Sequence, residues 1–165
     1  MKAERAQPLS IIGLGNVEKG DDGVGVLVVE GLREELEEGS WVPNRDGEVT
    51  IVPAGTDSLL AAAHAADGRW IILVDAAHMG LAPGEFRMFT PREAQLPPRL
   101  HGLVPHDADL AQTLRLMDGL GCAERVRVMG IEAPEVGEGR GLSQPLSSRL
   151  PEMRARIKEE VGLLP

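Results

Sequence analysis

At 165 residues, with 42% hydrophobic and 26% charged positions, the chain has the composition of a single globular domain spanning 1–165. A formal net charge of −9, with two Trp, two Phe and no Tyr, argues against a nucleic-acid binder or an anionic-membrane binder. One cysteine excludes an internal disulfide and a Cys-rich zinc site, and no apolar run approaches the length of a membrane span. The segment MKAERAQPLSIIGLG has no long apolar core of the kind a secretory leader carries, so the expected compartment is the reducing cytoplasm.

The elements follow in chain order. Leu9 to Leu14 is a short apolar run that ends in Gly13-Leu14-Gly15-Asn16, a buried strand running into a tight turn. From about Asp22 to Glu38, Val24, Leu27, Val28, Leu32 and Leu36 recur at helical spacing; Asp21 or Asp22 can cap the start and Gly39 the end. Val49 to Val52 is a second strand, with Pro53-Ala54-Gly55 as its stop, and Thr56 or Asp57 caps a helix that ends at Gly68. Trp70 to Val74 is a third buried strand, carrying Asp75 at its end. Glu85 to Phe89 alternates as an edge strand, and Pro91 to Pro105 is a proline-rich loop. A helix from Asp107 to about Asp118, a strand from Arg125 to Ile131 and an acidic Gly-bearing loop to Gly141 come next. The final helix carries Leu146, Leu150, Met153, Ile157 and Val161 on one face, and Pro151 kinks it or marks a late start. Strands alternating with helices predict an α/β fold: a largely parallel sheet covered on both faces, with its site beyond the carboxyl ends of the strands.

Ionisable groups fall at just those ends. Asp21 and Asp22 follow the first strand, Asp75 and His78 the third, and His106 precedes a helix. A dinucleotide site does not fit, because Glu18 stands where a third glycine belongs and two aspartates would repel a phosphate. No GxxxxGK[ST], GxSxG, HExxH or CxxC occurs. One Asp is enough to cap a helix, so the adjacent pair calls for a further role. Asp22, Asp75 and His106 together would suit a divalent first-row metal with open positions; His78 is the rival imidazole. His64, His101 and the lone Cys122 read as structural or solvated positions.

These residues resemble the nickel–iron hydrogenase maturation proteases, which trim the C-terminal peptide of a hydrogenase large subunit once nickel is in place. The resemblance is carried by Gly13-x-Gly15-Asn16, by Asp21-Asp22-Gly23-x-Gly25, by Gly55-Thr56, by Asp75 and by His106. It extends to Gly130-Ile131-Glu132-Ala133-Pro134-Glu135 and Gly141-Leu142-Ser143, and so covers essentially the whole chain. It implies a three-layer helix–sheet–helix sandwich around a mostly parallel, twisted sheet of about five strands. It implies that Asp22, Asp75 and His106 sense the metal and carry the chemistry, with Asp22 or Asp75 as general base toward a water. The loop Ala54-Gly55-Thr56 is implicated in substrate recognition, and Ala54 stands where family members often have Gly. The implied partner is a large-subunit precursor that brings its own nickel, so the protease needs no tightly bound cofactor. The expected protein is a monomeric endopeptidase; the alternative is a non-catalytic docking chaperone for the nickel-loaded large subunit.

Overall fold

Residues 6–94, 108–134 and 137–165 are described in the computed structural model of the chain. The run Leu9–Leu14 forms β1 and is buried on both faces, which is why its apolar pattern is continuous and not alternating. It is joined by β2 (Val49–Gly55), β3 (Trp70–Ala77), β4 (Phe86–Phe89) and β5 (Val126–Glu132) in the order β2-β1-β3-β5-β4. All neighbours are parallel except the β4–β5 pair, and β4 closes one edge. The helices are α1 (Val24–Glu37), α2 (Ser58–Ala66), α3 (Pro91–Ala94), α4 (Ala108–Gly119), α5 (Gln144–Ser147) and α6 (Leu150–Leu163). Val28 and Leu32 of α1 and Met153 and Ile157 of α6 cover one face of the sheet; Ala61 and Ala65 of α2 and Leu110, Leu114 and Met117 of α4 cover the other. This is the expected sandwich. Among the described residues no helix is long and apolar enough to cross a membrane.

The structure corrects the reading at several points. Asp21–Gly23 form a separate 3-10 turn, α1 starts at Val24, and neither helical segment has a side-chain cap. Both aspartates are engaged elsewhere. Pro53 does not end β2, which is an edge strand bonded only to β1, so a missing N–H on its outer side costs nothing. The register passes from Gly13 opposite Pro53 to Leu14 opposite Gly55, and Ala54 is the extra residue of a bulge. β3 likewise continues past Val74 to Ala77, placing Asp75 inside the ladder, where its partner in register is Gly130. Pro91 opens a short helix instead of a loop. Pro151 marks the late start: α6 begins at Leu150 with Pro in its first turn, after the separate α5. Asp57 caps α2, accepting from the Leu60 N–H at 3.3 Å.

Backbone closeness fixes where α1 begins. A Cβ on Gly25 would run into the carbonyl oxygens of Val74 in β3 and Leu14 in β1. Backbone atoms cannot yield as a side-chain tip can, so Gly25→Ala is expected to cost about 3 kcal/mol of stability. A urea titration with a clearly lowered midpoint checks this, and an unchanged midpoint contradicts it.

Candidate active site

From β1 the chain passes to β2 on one side and then crosses to β3 on the other. The carboxyl ends of β1 and β3 therefore flank the switch point, where α/β sheets open a crevice. Gly15 turns the chain out of β1 with φ 128, and a side chain there would strike the Asp22 carbonyl. The Gly15 N–H donates to the Gly55 carbonyl at 2.9 Å, which fastens the loop after β1 to the loop after β2 and so brings Thr56 alongside. The Asn16 N–H donates to Asp22 Oδ2 at 2.8 Å, while Asn16 Oδ1 accepts from the Glu18 N–H at 2.9 Å.

Asp22 is only 8% exposed, in a 3-10 turn that packs against β3. Asp75, 3% exposed, sits near the carboxyl end of β3. Two carboxylates are thus sequestered at the same end of the sheet, Asp75 within β3 and Asp22 in the turn that follows β1 and packs against β3. Burial of this kind suits proton transfer and metal contact better than a solvated acidic surface does. His106 lies outside the described residues. So does His101. The described part of α4 begins at Ala108 and leads through a turn and the 3-10 segment Ala123–Arg125 into β5. Among the described residues no three His, Cys, Asp or Glu side chains are grouped to hold a metal.

Asp21, 5% exposed, turns the other way from its neighbour. Its Oδ1 accepts from the Ser143 N–H at 2.6 Å and its Oδ2 from the Ser143 hydroxyl at 2.8 Å. The Gly20 N–H donates to the Gly139 carbonyl at 2.8 Å, and the Gly139 N–H to the Glu18 carbonyl at 2.9 Å. The Arg140 guanidinium hydrogen-bonds the Glu18 carboxylate and holds it below the ordinary glutamate range.

Sequence reasoning missed Glu132. Its buried carboxylate accepts from the Met79 N–H at 2.6 Å and the Leu81 N–H at 3.2 Å, and meets His78 Nδ1 at 3.2 Å. Its signals were its place at the end of the last strand and in the Gly130-Ile131-Glu132 stretch of the resemblance, and neither assigned it a partner. His78, immediately after β3, is thereby tied to the end of β5. His64 shares a hydrogen bond with buried Ser10, 2.8 Å from Oγ to Nδ1, and Cys122 is buried with its thiol on the Met117 carbonyl at 3.2 Å. Both are structural, as expected.

The hydrogenase maturation protease family model matches residues 26–160. The chain belongs to that family. The hydrogenase expression/formation protein HoxM of Azotobacter vinelandii is 28% identical over 159 residues, covering 93% of this chain and 72% of that one. Among solved structures, the [NiFe] hydrogenase maturation protease HybD from Thermococcus kodakarensis is 24% identical with a TM-score of 0.68, covering 93% of this chain and 99% of that one. The endopeptidase HycI from Escherichia coli, also 24% identical, has a TM-score of 0.66 over 92% of this chain and 90% of its own. The maturation-protease fold is therefore shared along nearly the whole chain.

Proposed function

We propose that this maturation protease is an endopeptidase that removes the C-terminal peptide of a nickel–iron hydrogenase large-subunit precursor after nickel insertion, with Asp22, Asp75 and His106 contacting the metal that the precursor carries. The observation that supports this best is the burial of Asp22 and Asp75 together at the carboxyl end of the sheet, beside the Gly55–Thr56 loop. It acts in the cytoplasm as a monomer.

The chemistry follows from the residues. A water positioned at the crevice attacks the scissile carbonyl carbon, and Asp22 or Asp75 takes its proton. The C–N bond then breaks, the proton passes to the leaving amine, and the products are a new carboxylate and a free peptide. Gly55 and Thr56 meet the incoming chain. Thr56 is exposed, while Gly55 is held by its bond to Gly15.

Asp22→Asn separates chemistry from scaffolding. The amide keeps an oxygen to accept from Asn16, so the loop should hold its shape and the melting temperature should change little. Processing of nickel-loaded precursor should fall by about a hundredfold or more. The readout is mass-spectrometric loss of the precursor's C-terminal peptide over time; normal processing by a folded variant removes Asp22 from the mechanism. Tight binding of precursor by the wild type with no cleavage would identify a docking chaperone instead.

A further inference from the structure

The adjacent aspartates divide their work: Asp22 faces the crevice loop, and Asp21 is spent on Ser143. We infer that Asp21 is a positioning residue for Asp22, acting by clasping the segment after β5 onto the loop after β1. The inference rests on the proposed reading of Asp22 and extends it to the residue beside it.

The geometry is specific. Both Asp21 oxygens are used on one residue, at 2.6 Å to the Ser143 N–H and 2.8 Å to its hydroxyl, in a site only 5% exposed. Two acceptors on one rigid carboxylate fix direction as well as distance. Ser143 is also the residue before α5, so the far partner is itself anchored by a helix start. The clasp is reinforced in the backbone, where Gly139 exchanges hydrogen bonds with Gly20 and Glu18. On its other side the same loop is held by the Gly15–Gly55 bond. The segment from Gly15 to Asp22 is therefore pinned at both flanks, and Asp22 sits immediately after one of the pins. If Asp21 lets go, the 3-10 turn loses the contact that sets its rotation, and the Asp22 carboxylate moves off the Asn16 N–H. A misplacement of the order of an ångström in a reacting group is enough to cost much of its rate.

The Asn16 amide reports the position of Asp22 directly, since its hydrogen bond ends on Asp22 Oδ2 at 2.8 Å. Hydrogen exchange on the free protein should show the Asn16 amide opening roughly tenfold faster in Asp21→Ala, with the β3 amide of Leu73 unchanged. Ser143→Ala, which keeps the backbone donor, should show a smaller acceleration, and Ser143→Thr, which keeps both donors, should behave as wild type. On nickel-loaded precursor, Asp21→Ala should lower kcat per folded molecule by roughly tenfold with KM unchanged, and Ser143→Thr should retain wild-type kcat. Unchanged Asn16 exchange in Asp21→Ala overturns the inference, as does acceleration matched by Leu73, which would mean general loosening. Loosened Asn16 exchange with no effect of Asp22→Asn on processing would keep the clasp and discard the role proposed for Asp22.

Discussion

Asp75→Asn should leave the protein folded and stop removal of the precursor's C-terminal peptide. The substitution is isosteric, and residue 75 keeps its place in the ladder because its backbone, opposite Gly130, is untouched. What changes is chemistry: an amide cannot accept a proton from water at neutral pH, and it is a poorer metal ligand than a carboxylate. The loss expected for a general base alone is 10²–10⁴-fold, and a ligand's loss adds to it. His106→Ala should have the same outcome through loss of the imidazole. Circular dichroism and the melting temperature check the fold, and time-resolved mass spectrometry of nickel-loaded precursor checks the activity. Efficient processing by folded Asp75→Asn would eliminate the catalytic assignment.

Cleavage should depend on nickel in the precursor and not on metal supplied to the protease. The sole thiol, Cys122, is buried against the Met117 carbonyl on the α4 side of the sheet, so no thiolate serves the crevice. On the proposed reading, one carboxylate from β3, one from a 3-10 turn and the imidazole of His106 would retain metal less firmly than the closed four-ligand cages of structural zinc. Nickel carried by the precursor arrives, on that reading, with donors of its own, and the contacts it allows are ones an empty precursor cannot make. The rate on nickel-loaded precursor should exceed that on nickel-free precursor by about a hundredfold or more. The informative arm presents nickel-free precursor to protease preincubated with nickel. Cleavage at the full rate there would assign the metal to the protease and end the sensing account.

Much of the architecture could be read from hydrophobic runs broken by glycine and proline. β1 and most of β3 are buried on both faces and so appear as unbroken apolar stretches, β5 shows in the alternation around Arg127, and α1, α2 and α4 show their stripes. Boundaries failed where tertiary context overrode a local signal. Pro53 reads as a breaker until its strand is known to be an edge, and Asp21 and Asp22 read as caps until their partners, Ser143 and Asn16, are in view. Asp75 was visible as an acid near the end of an apolar strand. Glu132 was not, because its partners come from the turn after a different strand, at Met79 and Leu81, and no periodicity records such a meeting.

The bond between Gly15 and Gly55 joins main chain to main chain, so it is indifferent to side-chain identity. Thr56 and Asp57, immediately beyond it, are exposed. Their side chains can be exchanged without disturbing the turn that carries Asp22, provided that the α2 cap at residue 57 remains a capping type. Selection for a new partner can thus act on this loop while the buried acids stay in register. That separates a changeable surface from buried chemistry, and on the proposed reading it makes residue 56 the natural first position for retargeting the protease to another precursor.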